Sequence, residues 1–589
     1  MYKRQPTFFS PYGSHKPALE ARKNNILALM LQYNFITPEE YVSARNENVY
    51  FMEQDTFSIQ APHFVFFVKD ILKQKQGANL KSLEGKRIRT TIDLELQKKI
   101  EDIITEFGPE FEKRYSGKNI ASVVLSAKTG EILAMVGSRD FFDSSIEGRV
   151  NIITSRRQPG STFKPIVYAK AFEKGLLPKT VVYDVPTQFN PTCDKDKFET
   201  TEAGCYSPIN YTGKFSGPVS LREALAQSIN VPAVKTLYLS GIGEVIALAK
   251  NMGITSFTGD PLNHGLSLVL GSAEITPLEL AQAYNVFAND GLFVPYTWTF
   301  GREGGEEKRV LSKKAARYIT SVLSDDRARA PLFGRRSPLH ITKPQVAVKT
   351  GTTNNSVDLW VIGYSPDIVV LVWGGHSDGT PLEIGASGLA FSKTFRKIML
   401  TVSEKYGNND LYFPINTIPP YTKNNMLSGF INKKDPHTIL HYIQKNSVTQ
   451  HPTNPEDDSQ YENWEFGVRD WFEKNEAEKE GDEEGGEEDI ETHNTVNKIP
   501  ISFSIQFPVP GSEISAQDTI TVITSPIPKE NTRYEFYVNN KLVGLSAIPF
   551  FKFNLSQVLS DIPETISIQV LVNSPLGVFS SEQTYSIKE

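Results

Sequence analysis

Ser161 and Lys164 are the residues whose types and spacing best suit nucleophilic chemistry. Ser161 is the only serine in the 589 residues with a lysine three positions later. Residues i and i+3 share a face of a helix, so the Lys164 amine can lie beside the Ser161 hydroxyl. A serine becomes a good nucleophile when an adjacent base removes its proton. A lysine can be that base when burial or a neighbouring cation lowers its pKa, although an exposed helix without chemistry has the same pattern.

Two further motifs follow in the chain. Ser-Ile-Asn at 228–230 lies 67 residues after Ser161, in a run whose apolar spacing predicts a helix disturbed by Pro232. Lys-Thr-Gly-Thr at 349–352 ends a β-prone run. Taken singly, the three motifs are also typical of a surface helix, a polar kink and a turn. In this order they form the pattern of serine acyltransferases that include penicillin-binding proteins and class A β-lactamases.

A second Lys-Thr-Gly, at 128–130, is predicted to be structural. It lies between two β-prone runs a few residues apart. This arrangement predicts a hairpin with Gly130 in the turn, where glycine takes a positive φ at no steric cost. The next residue is Glu131, where the other motif has Thr352.

From about residue 87 to residue 401, the chain resembles the transpeptidase half of bifunctional (class A) penicillin-binding proteins. Beyond the motifs, the resemblance rests on longer stretches at 91–94, 127–137, 157–161, 210–213, 270–278 and 358–364. The run at 376–381, together with a β-rich C-terminal region, is most similar to the C-type subgroup.

The resemblance implies a D,D-transpeptidase that cross-links peptidoglycan stem peptides and that β-lactam antibiotics acylate. Ser161 would attack the carbonyl between two terminal D-alanines, with Lys164 as its general base. Ser228 would relay the proton to the departing amine, and an amine of a neighbouring stem peptide would then take the acyl group. The backbone N–H groups of Ser161 and Thr352 would form the oxyanion hole.

The other motif residues would bind substrate. By the same resemblance, Asn230 would hold the substrate amide and Lys349 would supply positive charge. The hydroxyls of Thr350 and Thr352 would bind the terminal carboxylate. Gly351 is expected to let substrate approach the strand edge without a Cβ in the way.

The expected fold class is multidomain α+β. The central domain is expected to have the β-lactamase/penicillin-binding transpeptidase fold, an antiparallel sheet flanked by helices. Ser161 would start a buried helix opposite the 349–352 edge, with Asp358 and Trp360 shaping the site from the next strand. The expected segments are a glycosyltransferase tail with connector (1–82), a linker region with the β-hairpin (83–150), the transpeptidase domain (151–405), an extension with an acidic linker (406–497) and an immunoglobulin-like sandwich (498–589).

The sandwich is predicted from the alternation of apolar and polar residues after residue 498. Its function is not readable from the sequence. A spacer or docking module is favoured, and a glycan- or partner-binding role is the alternative.

The N-terminal region resembles only the tail of a glycosyltransferase. It shows no signal peptide and no apolar stretch near the roughly 18 residues that cross a membrane. Because bifunctional penicillin-binding proteins begin with a membrane anchor and a glycosyltransferase domain, a fragment or incomplete gene product without glycan polymerisation is expected. The full-length parent is expected to act outside the cytoplasm, in the periplasm or at the outer face of the membrane.

Two local features of this region are also predicted. Thr37, Pro38 and Glu40 predict a helix start with a capping box. His63 lies among phenylalanines and is predicted to be a packed structural histidine.

Charge and composition limit the partners. The formal net charge is −6, and the run 473–491 holds 11 acidic residues and two lysines, so the rest of the chain is near +3 and gives no case for nucleic acid. The acidic run predicts a disordered linker, with a protein-binding tail as the alternative. None of the nine histidines pairs with a Cys, Asp or Glu at a convincing metal or triad spacing, so neither a metal nor another cofactor is expected. Cys193 and Cys205 lie in a polar loop, where an extracytoplasmic site favours a disulfide over two free thiols.

Two other functions stay open. A D,D-carboxypeptidase or a β-lactamase would use the same motifs but release the acyl group to water. A class A β-lactamase needs a carboxylate-activated water, for which Glu274 is a candidate by position alone. A catalytically silent cell-wall scaffold is the third possibility, and the intact motifs argue against it.

Overall fold

The chain divides into two compact units, Met1–Glu483 and Glu484–Glu589. The computed structural model describes residues 8–51, 59–76, 85–198, 204–300, 307–383, 387–413 and 426–481, except positions 14, 336, 408, 433, 446 and 449. Beyond 481 it describes segments between 505 and 588.

The α-helices of the described residues lie in the first unit. They are α1 (Lys16–Gln32), α2 (Pro38–Asn46), α3 (Pro62–Gln76), α4 (Leu94–Tyr115), α5 (Lys164–Glu173), α6 (Leu221–Ala226), α7 (Asn230–Ser240), α8 (Ile242–Asn251), α9 (Pro277–Ala288), α10 (Lys313–Leu323), α11 (Asp326–Phe333), α12 (Ser392–Tyr406) and α13 (Tyr461–Gly481).

Both units contain β-strands. The first unit has β1 (Asn119–Ser126), β2 (Ile132–Val136), β3 (Val181–Asp184), β4 (Gly217–Ser220), β5 (Leu292–Phe293), β6 (Lys308–Arg309), β7 (Ala347–Thr352), β8 (Asp358–Tyr364) and β9 (Ile368–Gly375). The second unit has β10 (Ile505–Phe507), β11 (Glu513–Ser515), β12 (Thr519–Thr524), β13 (Arg533–Val538), β14 (Lys541–Ser546), β15 (Phe550–Asn554), β16 (Thr565–Ser574) and β17 (Gly577–Lys588).

A five-stranded antiparallel sheet is the centre of the first unit. Its strand order is β2-β1-β9-β8-β7, so β7 lies at one edge. Every residue of β8 and β9 is buried, because α4 and α12 cover one face of the sheet and helices including α5, α9 and α10 cover the other. The predicted antiparallel sheet flanked by helices is confirmed.

The β1–β2 hairpin belongs to this same sheet. Gly130 lies in its turn with φ +73°, as the sequence predicted for the first Lys-Thr-Gly. The hairpin was assigned to the segment 83–150, yet β1 pairs with β9 along its whole length. The five segment boundaries stay predictions.

The segment 426–481 packs against the first unit. Trp464 of α13 is fully buried, with its ring centroid 6.0 Å from Phe189 and 5.4 Å from Tyr238. The sequence predicted a disordered linker from residue 473, whereas the helix continues to Gly481. Between residue 473 and that glycine there is no other glycine and no proline, and exposed Lys474 pairs with Asp470 one turn earlier at 2.8 Å. The rest of the acidic run lies outside the described residues.

Both predicted N-terminal features are present. Thr37 Oγ1 accepts the Glu40 N–H at 3.2 Å, and Glu40 Oε2 accepts the Thr37 N–H at 2.8 Å, which completes the capping box. His63 is buried, its Nδ1 accepts the Gly137 N–H at 3.2 Å, and its Nε2 lies 2.9 Å from Gly148 O. Burial lowers the pKa of His63 to about 4, so this histidine is neutral and structural.

The second unit consists of two sheets. One has the order β10-β12-β15 and the other β11-β17-β16-β13-β14, with β11 and β17 parallel and the other pairs antiparallel. Their shared core joins Val522 and Phe553 of the smaller sheet to Phe536, Ile568 and Tyr585 of the larger one. This confirms the predicted all-β region.

Among the described residues, no single helix is long and apolar enough to cross a membrane. The bent pair α7 and α8, at 89°, meets the requirement of length and composition only when the two helices are taken together.

Candidate active site

The three motifs meet at one cleft of about 510 Å³ in the first unit. The cleft-lining residues from the predicted site are Ser161, Ser228, Asn230, Thr350, Gly351 and Thr352. Lys164 and Lys349 lie behind this surface, both buried, and their amines contact Ser228. The structure therefore brings together all eight residues that the sequence nominated.

Ser161 lies in a tight 3-10 turn, Gly160–Phe163, that leads directly into buried helix α5. Gly160 has φ +54°, and a Cβ there would lie 2.7 Å from the carbonyl oxygen of Thr352. Only glycine permits this close approach of the turn to β7. Within the described part of the chain, Ser161 Oγ has no hydrogen-bond partner and is open to the cleft.

Ser228 lies at a break between two helices rather than at a kink within one. It has φ +62°, a left-handed conformation that is uncommon for a residue other than glycine and that clusters at functional sites. The sequence predicted that Pro232 would disturb a continuous helix. Instead α6 ends at Ala226, α7 begins at Asn230, and Pro232 lies in the first turn of α7, where its missing N–H costs nothing.

The Lys164 amine is held by the Ser228–Asn230 segment. It donates to Ser228 O at 2.6 Å and to Asn230 Oδ1 at 2.7 Å. Longer contacts join it to Ile229 O at 3.3 Å and Ser228 Oγ at 3.5 Å. The sequence placed this amine beside Ser161, but no hydrogen bond joins the Lys164 amine to the Ser161 hydroxyl. The two residues are linked through the backbone, where the Lys164 N–H donates to Ser161 O.

Complete burial, with a further contribution from the nearby Lys349 cation, lowers the pKa of Lys164 well below its ordinary value. A neutral amine has two N–H groups and one lone pair. The two short contacts use both N–H groups, so the lone pair stays available to accept a proton.

Lys349 is the second buried amine of the site. It donates to Ser228 Oγ at 2.8 Å and to Thr350 O at 2.8 Å. Burial lowers its pKa to about 7, and the Arg329 cation acts in the same direction. Ser228 Oγ therefore contacts the amines of both Lys164 and Lys349. Its hydroxyl can accept a proton from one group and donate its own to another.

The residues of β7 alternate between two faces, as in any strand. A Cβ on Gly351 would lie 2.8 Å from Thr162 Cγ2 and 3.0 Å from Pro159 O. Gly351 therefore allows the Ser161 turn, rather than only a substrate, to approach the strand. On the other face, Thr352 Oγ1 accepts the Gly388 N–H at 3.2 Å.

Asp358 and Trp360 form hydrogen bonds next to the site, as expected for residues predicted to shape it. The Trp360 indole donates to Gln158 O at 3.0 Å, two residues before Gly160. Asp358 Oδ1 accepts the Trp373 indole N–H at 2.8 Å, and burial raises the Asp358 pKa to about 6.

Asp184 and Asn210 are site residues that the sequence analysis did not nominate. Both are buried and both line the cleft. Asn210 belongs to a stretch on which the family resemblance rests, and that stretch was the only signal for it. Asp184 ends a short buried strand and carries no motif.

Cys193 and Cys205 form a disulfide in the loop between the first two motifs, as predicted. Among the described residues, no group of three or more His, Cys, Asp or Glu side chains could hold a metal ion.

The antiparallel sheet, its flanking helices and the cleft between the three motifs are those of a penicillin-binding transpeptidase domain. Residues 120–400 match the penicillin binding protein transpeptidase domain. The chain is 29% identical over 401 residues to penicillin-binding protein 2D of Bacillus subtilis, a match that covers 64% of this chain and 54% of that protein. It is 28% identical over 384 residues to penicillin-binding protein 1C of Escherichia coli, covering 63% and 44% of the two chains. These matches assign residues 120–400 to the penicillin binding protein transpeptidase domain.

Solved structures share the fold. Penicillin-binding protein 1A from Haemophilus influenzae superposes with a TM-score of 0.51 at 21% identity, over 69% of this chain and 80% of that one. The chain spans about half the length of the curated relatives named above. Because relatives of the 2D and 1C types both match, the narrower assignment to the C-type subgroup stays a prediction.

Proposed function

We propose that this chain is a serine D,D-transpeptidase that acts on peptidoglycan stem peptides ending in D-Ala-D-Ala. The observation that carries the proposal is the position of Ser228 Oγ. It lies 2.8 Å from Lys349 Nζ and 3.5 Å from Lys164 Nζ, in the cleft that Ser161 also lines. One hydroxyl thus connects a base, a cation and the nucleophile's cleft.

Acylation begins when the lone pair of neutral Lys164 takes the Ser161 proton. Ser161 Oγ then attacks the carbonyl between the two D-alanines, and the backbone N–H groups of Ser161 and Thr352 stabilise the oxyanion. As the C–N bond breaks, the proton passes from Lys164 through Ser228 Oγ to the departing amine. D-alanine leaves, and the rest of the stem peptide stays bound to Ser161 as an ester.

The substrate's terminal carboxylate is bound by positive charge and hydroxyl donors. Lys349 supplies the charge, while Thr350 and Thr352 supply hydroxyl groups on the cleft side of β7. Asn230 donates one amide N–H to Ile209 O at 2.8 Å. Its second N–H is left to donate to the substrate amide.

Deacylation decides between the transpeptidase and a hydrolase. An amine of a neighbouring stem peptide takes the acyl group in the proposed reaction, whereas water takes it in a D,D-carboxypeptidase or β-lactamase. Glu274, the sequence candidate for activating water, accepts a hydrogen bond from Thr258 at 3.0 Å and is not among the described residues that line the cleft. This arrangement favours transfer to an amine. Since stem peptides lie outside the cytoplasm, so would the site.

A fluorescent penicillin tests the nucleophile. The native chain should carry the label on Ser161, located by mass spectrometry of the digested adduct. Ser161→Ala should remove the label. Ser387→Ala is the matched control, because it deletes the hydroxyl of another cleft-lining serine, and it should keep the label. Labelling at any other residue contradicts the proposal.

The fate of the acyl group tests the reaction. With a synthetic stem peptide ending in D-Ala-D-Ala and a fluorescent D-amino acid as acceptor, a fluorescent transfer product is expected. The penicillin adduct should also persist for many minutes. Release of free acid with no transfer product, or rapid loss of the adduct, would assign the site to a hydrolase.

A further inference from the structure

A buried carboxylate in the wall of the cleft is not part of the three motifs. Asp184 ends β3 and is fully buried. Its two oxygens accept hydrogen bonds from Asn210 Nδ2 at 2.8 and 3.0 Å, and Oδ2 also accepts the Ser216 N–H at 2.8 Å. Asn210 Nδ2 also donates to Lys214 O at 2.9 Å. A carboxylate and a carbonyl can only accept, so Asp184 and Lys214 together fix which end of the Asn210 amide faces them.

The other end of the Asn210 amide holds the start of helix α7. Asn210 Oδ1 accepts the backbone N–H of Asn230 at 3.0 Å and of Val231 at 3.4 Å. The first N–H groups of a helix have no partner within it, and the residue before α7, Ile229, provides no side-chain cap. Asn210 therefore caps α7 from a distant part of the chain.

This cap determines where the Lys164 amine lies. Asn230 is the first residue of α7, and its Oδ1 accepts a hydrogen bond from Lys164 Nζ at 2.7 Å. A path of hydrogen bonds thus connects Asp184, through Asn210 and Asn230, to Lys164. If the Asn210 amide turned over, its NH₂ group would face the α7 N–H groups, and Asn230 would have to move.

Charge acts along the same path. The charged groups that act on Lys164 are the Lys349 cation on β7 and the Asp184 carboxylate on β3; the carboxylate opposes the lowering of the Lys164 pKa. Asp184 itself lies near the buried amine of Lys235 on α7, which donates to Tyr183 O at 2.9 Å and whose pKa burial lowers to about 7.

We propose that Asp184 is a positioning residue for the Ser161 site, which acts through the Asn210 amide to hold the start of α7 and the Asn230 oxygen against the Lys164 amine. The inference rests on the proposed function, because it assigns Asp184 a role in the activation of Ser161. Its negative charge also stabilises the protonated form of Lys164 and so raises the lowest pH at which this lysine, whose pKa burial lowers, is a base.

Asp184→Asn in the full chain tests both parts. The variant keeps the shape but removes the charge and places an NH₂ group where Asn210 needs an acceptor. Acylation by a chromogenic cephalosporin, measured under saturating conditions, should slow about tenfold near neutral pH, as expected for one disrupted buried hydrogen bond. Removing an anion lowers the Lys164 pKa, so the acid limb of the pH–rate profile should move to lower pH. A residue that only stabilises the fold would slow acylation without moving this limb.

A double variant, Asp184→Asn with Asn210→Asp, restores the negative charge and the contact between positions 184 and 210 in reverse, and gives up only the hydrogen bond from position 210 to Lys214 O. The amide introduced at position 184 would donate to the carboxylate introduced at position 210. The oxygens of that carboxylate would still accept the α7 N–H groups, where a helix N-terminus favours negative charge. The rate should return to within a few fold of native, and the acid limb should move back towards its native position.

Asp194→Asn is the matched control for the single variant. It removes an exposed carboxylate from the neighbouring disulfide loop, so it changes the charge of the protein by the same amount at a distance from α7. This variant should keep both the native rate and the native pH profile.

Each outcome has one meaning. Lack of Ser161 acylation in the native chain overturns the proposed function itself. The role of Asp184 is overturned if the native chain is acylated and folded Asp184→Asn shows either an unchanged acylation rate or an unmoved acid limb. If Asp184→Asn does not fold, the double variant decides: recovery of the rate supports the inference, and a folded double variant that stays tenfold slower than native contradicts it.

Discussion

Lys-Thr-Gly occurs twice in this chain, in opposite environments. At 128–130 it forms an exposed hairpin turn, where Lys128 pairs with Asp367 at 2.7 Å and that contact raises the pKa of Lys128. At 349–351 it lies on a buried edge strand, where burial lowers the pKa of Lys349 to about 7. The same three residues thus give one lysine that is always charged and one that titrates near neutrality.

This difference indicates that the tripeptide alone does not make a lysine functional. Burial and partners supply it: Lys349 contacts a hydroxyl of the cleft, whereas the side chain of Lys128 is 59% exposed. Matched substitutions in the two segments can therefore separate the effect of the residue from the effect of its environment.

Removing the lysine gives the largest expected contrast. Lys349→Ala deletes the cation and the hydrogen bond to Ser228 Oγ, so the rate of Ser161 acylation by penicillin should fall about 1000-fold, the upper range for loss of one preorganised donor. Lys128→Ala removes an exposed lysine from its pair with buried Asp367, which keeps its hydrogen bonds from Asn409, and acylation should stay native. Rates by stopped flow, with melting temperatures as a folding control, test the pair. Equal losses of acylation rate in Lys349→Ala and Lys128→Ala would contradict the contrast between the two segments.

The glycines should separate activity from stability. In Gly351→Ala, the added Cβ would lie 2.8 Å from Thr162 Cγ2 and displace the Ser161 turn, so acylation should slow about 100-fold, as misplaced reacting groups do. In Gly130→Ala, φ is +73° and the Cβ would lie 2.2 Å from Pro295 O. This change should lower the free energy of unfolding by about 2 kcal/mol while the folded protein acylates normally. Chemical denaturation and labelling rates should be measured on both variants. Slow labelling of folded Gly130→Ala, or native labelling of Gly351→Ala, would contradict this prediction.

The pH dependence of Ser161 acylation gives a third contrast between Lys349 and Lys128. Ser161 acylation should rise as pH passes the lowered pKa of Lys164, which becomes neutral, and fall about tenfold per unit above the Lys349 pKa of about 7, where the cation is lost. Because arginine stays protonated, Lys349→Arg should remove the alkaline limb for a carboxylate-bearing β-lactam. Lys128→Arg should leave the bell shape intact, and an alkaline limb that survives in Lys349→Arg would assign it to another group.

Local pattern explains what the sequence predicted well. Ser161 with Lys164, the Thr37 capping box and the β1–β2 hairpin depend on residues a few positions apart, so spacing and turn chemistry suffice. The β-prone run that ends at Thr352 likewise predicted the strand β7. The central sheet and the positions of all three motifs in the site follow from such signals, combined with the family resemblance.

What the sequence missed depends on distant contacts. Asp184 reaches Asn210 across 26 positions and Asn210 reaches Asn230 across 20, and no periodicity encodes either contact. The left-handed Ser228 was missed because serine rarely adopts this conformation. The role of Gly351 in admitting the Ser161 turn depends on a neighbour that is distant along the chain, at Thr162.

The threonines give the smallest expected contrast and the sharpest test of the carboxylate site. Thr352 Oγ1 accepts the Gly388 N–H at 3.2 Å, which leaves its proton to donate into the cleft. Thr129 Oγ1 lies 2.8 Å from Ser126 Oγ and 3.0 Å from Glu131 Oε2, so its hydrogen bonds stay within the hairpin turn. Thr352→Ala should therefore reduce the efficiency of acylation about fivefold, the effect of one hydrogen bond of about 1 kcal/mol, and Thr129→Ala should not change it.

This loss should appear in the concentration dependence rather than in the rate at saturation, because a carboxylate contact holds the substrate both before and during the reaction. A β-lactam whose carboxylate is esterified should acylate native protein and Thr352→Ala equally well. If the ester still distinguishes the two, Thr352 acts on the reacting carbonyl and not on the carboxylate. The Thr352 hydroxyl would then serve the oxyanion together with the Thr352 N–H, and Lys349 and Thr350 would be left to bind the carboxylate.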